Sequence, residues 1–384
     1  MRRTTGILAG IAAKVAAGAA AGDAYAAALP AVPPGFVIDV VAHVPGAREL
    51  AISPAGDLYV GTNDEAVDVV SRAGGTPGAP RIFARIPDAP VAGIALTGTT
   101  LVVGSQHGVW TVPVAADGRA GAKPHRIAEV RPDGGRGHRT TSVAVAGGTV
   151  YASIGSSCNA CIEHDPTRAT VLAMTPTGAD RRTVAVGLRN AVALATDPAT
   201  GAVWAGVAGR DDLAPGRPDE IFDPVSTRAP GATYGWPDCY DDRRSAAQPG
   251  ACSNAVVPEV AFPAYETPIG AAFYPADALG AHAFPARYAG GAFVSLHGSW
   301  HVPLVPPRVV FVAMRNGRPA TPANWNDPAA QWTTFVGGFQ TGEHQRIGRP
   351  TGVAVGPDGS LYVADDDAGE IYRIRPATDR TAVK

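Results

Sequence analysis

The sequence predicts an all-β fold, a six-bladed β-propeller closed by an N-terminal strand. Three observations lead there. The 384 residues include 46 glycines and 35 prolines, about a fifth of the chain against roughly 12% in average usage. That many breakers cannot sit inside long helices. A unit of apolar strand, Pro/Asp/Gly turn and second strand ending in small residues recurs along the chain. Most copies lie roughly 40–50 residues apart, the spacing of propeller blades.

The copies read ELAISPAGDLYVGT from Glu49, GIALTGTTLVVGS from Gly93, SVAVAGGTVYASIG from Ser142, ALATDPATGAVWAGV from Ala193 and GVAVGPDGSLYVADD from Gly352. A looser, interrupted copy runs GAAFYPADALG from Gly270 and continues as GGAFVSLHG from Gly290. Each alternates apolar and small residues around a turn, as a hairpin does. Further apolar strands follow several copies: VDVVSR, GVWTVPV, TVLAMTP, RVVFVAM and EIYRIRP. Six copies give six blades. The wider gaps near 208–270 and 296–350 predict long loops inserted at the top of a blade. GFVIDVVAHV from Gly35 has no partner in the first blade. It is expected to pair beside EIYRIRP in the last blade and close the ring, removing exposed sheet edges. The propeller domain is expected over 35–378. Two β-sandwich domains are the competing architecture, and repetition of one turn motif favours the propeller.

Composition narrows the function. The chain is 46% hydrophobic and 17% charged, with a net charge of −2. A large core is possible and global disorder is excluded. The basic field that nucleic acid or an anionic membrane needs is missing. Residues 1–28 have the order of a secretory signal: Arg2-Arg3, an Ala/Gly-rich apolar stretch interrupted by Lys14, then small residues suited to cleavage near Ala24–Ala28. The arginine pair also fits a twin-arginine leader. No apolar stretch of about 20 residues follows it, so a soluble periplasmic or secreted protein is expected. Cys158, Cys161, Cys239 and Cys252 then read as two disulfides, paired by proximity. Zinc is the rival reading of the Cys-x-x-Cys, but the second pair is widely spaced and no histidine stands beside it.

A propeller carries function on loops at one end of its channel. Just outside the repeated strands stand His138 (GGRGHRTTSVAV), Arg189 and Asn190 (VGLRNAVAL), His297 (SLHGSWH) and Arg349 (IGRPTGV). They sit near equivalent ends of different blades, so they are expected to converge on one axis. Cations and imidazoles around a channel suit a polyanionic ligand.

The segments GHRTTSVAV, SIGSSCNAC, GLRNAVAL, GRDDLAPGRPDEI, YGWPDCY, SLHGSW and GRPTGVAVGPDGSLYVADD resemble the soluble glucose/sorbosone dehydrogenases. These are six-bladed propellers that use pyrroloquinoline quinone (PQQ) with calcium. The likeness spans Gly35 to Pro376, and GLRN, YGWP and SSCN resemble the sorbosone dehydrogenase-like branch. The resemblance implies that the substrate is a small sugar or sugar-derived aldehyde. It implies that His138 is the general base, a task suited to imidazole. It places Arg189 on the reactive quinone oxygens and Asn190 beside it in the cofactor site. Gly209 and Arg210 would bind Ca2+ through backbone carbonyls, which any residue type can supply. Arg349 would hold a cofactor carboxylate, and His297 stands where the glucose enzymes have a lysine for the same task. Asp219 and Glu220 match an acidic pair near the calcium loop and read equally well as a solvated turn.

Three positions depart from the glucose branch. Ser156 stands where an aspartate orients the catalytic histidine, with Asp165 as an alternative acid. Thr351 replaces a second cofactor-contacting arginine, and Ala208 replaces a glutamine before the calcium loop. Two other functions stay open at this stage: a calcium-dependent lactonase-type hydrolase, which needs carboxylates and Asn around an axial metal, and a non-catalytic binding propeller.

Overall fold

Each repeated unit forms the hairpin its turn demands, and every hairpin supplies the two inner strands of a blade. In the computed structural model, residues 28–377 are described, apart from 133, 135, 136, 214, 215, 279 and 301–303. Of the export segment expected over 1–28, all but Ala28 lies outside the described residues.

The blades begin with inner strands Ala47–Ile52, Gly93–Thr97, Thr141–Ala146, Asn190–Thr196, Pro268–Phe273 and Pro350–Val355. Each leads an antiparallel sheet running outwards in chain order through the first five blades. The sixth sheet runs Pro350–Val355, Leu361–Asp365, Glu370–Pro376 and then Phe36–His43. The N-terminal strand therefore closes the ring beside EIYRIRP, with Phe36 opposite Pro376 and His43 opposite Glu370. Among the described residues there is no α-helix, only three 3-10 turns.

Strands such as Leu58–Thr62 (LYVGT) and Thr170–Met174 (TVLAM) are buried at every residue. They are covered on both faces, and so read as continuous apolar runs instead of alternating ones. The core lies between neighbouring blades. Phe36, Phe284, Tyr288, Phe293 and Phe335 form one aromatic cluster joining the last two blades, and Trp204, Phe222 and Phe273 join the fourth and fifth. Inner strands approach closely: a Cβ on Gly93 would lie 2.2 Å from the Thr141 carbonyl oxygen, so only glycine fits there.

The inserted loops do not all leave from the top. Residues 224–259 depart from the end opposite the starts of the inner strands. They then climb the outer edge of the third blade as strand Ala232–Thr233, parallel to Arg182–Val186. Only after this climb do Tyr234–Trp236 reach the end that carries Arg189.

The two ends of the channel differ. At one end, three consecutive residues from each of the six inner strands, such as Leu50–Ile52 and Val353–Val355, surround a funnel of about 350 Å³ that carries aliphatic side chains and no charged one. The other end carries charged and imidazole side chains.

Candidate functional site

At that end His138, Arg189, Asn190, His297, Arg349 and Gly209 line one cavity of about 230 Å³. Asp211, Glu220, Tyr265 and Thr267 also line it, and Trp300, 73% exposed, stands at its rim. Residues from four blades thus meet because they stand at or beside the same end of their blades' strands.

His138 is held from behind. Its Nδ1 lies 3.1 Å from both the carbonyl oxygen and the Oγ of Ser156. The Ser156 hydroxyl donates to the Cys158 carbonyl at 2.6 Å, so towards the ring its oxygen acts as an acceptor. Two acceptors on one side fix the proton on Nδ1 and leave Nε2 as the basic nitrogen. Asp165 caps the turn at Thr167 instead, accepting from its N–H and hydroxyl at 2.9 and 2.7 Å. Gly155 packs against the ring's base. A Cβ there would lie 2.5 Å from the His138 Cβ and 2.6 Å from the Asn190 Oδ1.

Arg189 is 9% exposed. Its Nη2 pairs with Asp211 at 2.8 Å and its Nε donates to the Asn159 carbonyl at 3.3 Å. Burial lowers its pKa from the ordinary value, and Asp211 acts in the opposite direction. Arginine nevertheless stays charged. Arg349 donates to the carbonyls of His297 and Gly298, both at 3.2 Å. Both acceptors are neutral.

His297 joins this wall beside a carboxylate. It is 8% exposed, and its Nε2 is 2.9 Å from Asp366 Oδ1, while Asp366 Oδ2 accepts from Arg48 at 2.9 Å. Burial pushes the imidazole pKa down to about 4, outweighing the Asp366 hydrogen bond. It is therefore neutral at pH 7 and donates to a carboxylate that stays charged. In that state it brings no positive charge to the cavity.

Glu220 is buried, and both its oxygens accept backbone N–H groups, from Gly209 at 2.5 Å and Tyr265 at 3.1 Å. Burial pushes its pKa up to about 8. Of the acidic pair in the sequence only Glu220 reaches the cavity; Asp219 pairs with Arg217 at 2.8 Å. The Arg210 side chain points elsewhere, donating to the Pro237 carbonyl at 2.9 Å in a neighbouring cavity of about 60 Å³. Asp212, Tyr265 and Thr267 carry φ of 66°, 68° and 54°. Backbone held in this left-handed region costs about 1–3 kcal/mol per residue and gathers at functional sites.

The departures have structural uses. Thr351 is buried and its hydroxyl donates to the Ala47 carbonyl at 3.0 Å, stitching the last blade to the first. Ala208 lies in the cavity wall. The disulfides are Cys158–Cys161 and Cys239–Cys252, which removes the zinc reading. Sequence reasoning passed over Asp211, Tyr265 and Asn159. Asp211 lies inside GRDDLAPGRPDEI, directly after Gly209 and Arg210, and Asn159 lies inside the Cys-x-x-Cys. Those placements were the available signals.

Residues 240–377 match a family model described as TrAA12-like. The structure is similar to the family AA12 carbohydrate-active enzyme of Trichoderma reesei, at 18% identity over 91% of this chain and 98% of that one, TM-score 0.75. It is also similar to the holo PQQ domain of pyranose dehydrogenase from Coprinopsis cinerea, at 19% identity over 90% and 97%, TM-score 0.77. A third is the PQQ-bound aldose sugar dehydrogenase of Streptomyces coelicolor, at 18% identity over 90% and 99%, TM-score 0.62. An uncharacterized protein of Borreliella burgdorferi is 24% identical over 195 residues, half of this chain and 48% of that protein. This chain matches the TrAA12-like family model over 240–377, and over about nine-tenths of its length it shares the propeller fold of the family AA12 enzyme, the pyranose dehydrogenase PQQ domain and the aldose sugar dehydrogenase.

Proposed function

We propose that this protein is an exported PQQ- and calcium-dependent dehydrogenase that oxidises a sugar or a sugar-derived aldehyde. The observation that carries the reading is the convergence of His138, Arg189, Asn190 and Arg349 on one polar cavity. The residues fit the cofactor's chemistry. Two buried or half-buried guanidinium groups, one of them bonded only to neutral carbonyls in the contacts above, suit a tricarboxylate. Oxygen donors suit calcium, and the resemblance assigns that task to the carbonyls of Gly209 and Arg210. Bound PQQ would supply the two-electron acceptor for hydride. His138 takes on Nε2 the proton of the reacting hydroxyl, the C1 hydroxyl of an aldose or a hydroxyl of the hydrated aldehyde, while Ser156 holds the ring by Nδ1–H. Arg189, fixed by Asp211, places positive charge where negative charge develops. Asn190 and Arg349 orient the cofactor. The two disulfides support a periplasmic or extracellular location.

The test is reconstitution of purified protein with PQQ and Ca2+, followed by quinone absorbance and dye reduction over a panel of aldoses and sugar aldehydes. Binding with turnover is expected. His138→Ala should keep cofactor binding and lose most turnover, and Arg189→Ala should weaken both. A folded protein that neither binds PQQ nor reduces dye overturns the reading and leaves a binding propeller. Asp211, Glu220 and Asn190 in the cavity wall favour a second reading, a calcium-dependent lactonase. Lactone hydrolysis with calcium alone would establish that one instead.

A further inference from the structure

The four-residue ring closed by Cys158–Cys161 does more than brace a surface loop. The Asn159 side chain makes a two-point contact with the main chain of residue 211. Its Nδ2 donates to the Asp211 carbonyl at 3.1 Å and its Oδ1 accepts the Asp211 N–H at 2.8 Å. The Asn159 carbonyl accepts from Arg189 Nε at 3.3 Å and from Trp236 Nε1 at 3.0 Å. The preceding Cys158 carbonyl accepts from the Ser156 hydroxyl that lies behind His138. Three groups of the cavity, namely His138, Arg189 and the 209–211 segment, are therefore tied to one turn. A side-chain amide that satisfies both backbone groups of another residue behaves as an added strand residue and fixes its position in two directions. The disulfide limits how far Asn159 can move away.

We propose that Asn159 is a positioning residue, and that the Cys158–Cys161 ring is the clasp holding the 209–211 segment and Arg189 in register with His138. In its effect on the cofactor this rests on the function proposed above; in its effect on the segment it does not. The clasp acts before any ligand arrives, so the protein without cofactor can be tested.

The decisive measurement is amide hydrogen exchange of peptides spanning 207–213 in protein without PQQ. Asn159→Ala deletes both contacts to residue 211 and retains the main-chain carbonyl that Arg189 uses. Exchange at Asp211 should rise about tenfold or more, with peptides of the second blade unchanged. Asn159→Asp keeps the acceptor and loses the donor, so its increase should be smaller. A Cys158→Ser/Cys161→Ser double variant should raise exchange across 207–213 while Cys239–Cys252 stays intact. Titration with PQQ and Ca2+ then reads the coupling: affinity should fall by about tenfold in Asn159→Ala. Unchanged exchange in both variants overturns the clasp. Faster exchange with unaltered PQQ affinity overturns its positioning role. Native protein that binds no PQQ overturns the proposed function, and the exchange data still decide the clasp.

Discussion

Gly155→Ala should disable the site without touching a ligand. The added Cβ would lie 2.5 Å from the His138 Cβ, 3.1 Å from its Cγ and 2.6 Å from the Asn190 Oδ1. Carbon pairs settle at about 3.5–4.0 Å, so the imidazole has to retreat by about 1 Å. Ser156 resists that retreat, because it holds the ring through Nδ1 and the main chain through the His138 N–H to Ser156 carbonyl bond of 3.0 Å. A misplacement of about 1 Å in a catalytic group costs on the order of 100-fold in rate, and overpacking costs about 1–3 kcal/mol of stability. The assay pairs kcat/KM of the reconstituted protein with urea unfolding. The expected result is a fall of about two orders of magnitude in kcat/KM beside a modest loss of stability. Activity within twofold of native, in a variant whose fold is retained, would refute both the packing argument and the assignment of His138 as the base.

Other substitutions test separate links. Ser156→Asp puts a carboxylate behind Nδ1 and should raise the acid limb of the pH–rate profile by about 1–2 units, since an opposite charge favours the imidazolium; an unmoved limb would separate Ser156 from His138. His297 has its pKa lowered from 6.5 to about 4, so the unfolded chain binds a proton in this window that the native state refuses. The stability tied to it is present above pH 6.5 and is lost as pH falls towards 4, by about 3 kcal/mol. His297→Gln should flatten the dependence of Tm on pH between 4 and 6.5, and an unaltered slope would place the titration elsewhere. Phe36 packs its ring 4.7 Å from Phe284 and 5.1 Å from Phe335. Phe36→Ala should cost about 3–5 kcal/mol in urea unfolding, and a loss under about 1 kcal/mol would mean that closure by the N-terminal strand contributes little.

The blades were legible because a hairpin is a local object. In five of the six copies strand, turn and strand lie within about twenty residues; the fifth is interrupted between Phe273 and Ala292 and still reads as two halves of the same unit. The closing strand was legible for a related reason, since a lone apolar strand before the first hairpin has one open edge to fill. The climb of 224–259 was not legible. It depends on Ala232–Thr233 pairing with the outer strand of another blade, and nothing in two residues encodes that. The positions of His138, Arg189, Asn190, His297 and Arg349 followed from their place beside inner strands, whereas the charge on His297 did not. That charge is set by burial and by Arg48 and Asp366, which come from opposite ends of the domain. Asn159 was missed for the same reason, because its partners lie 30, 52 and 77 residues away. A propeller sequence states which residues stand at the mouth of its channel. Which of them are charged, and which are held still, is decided between blades, by contacts whose two halves carry no signal alone.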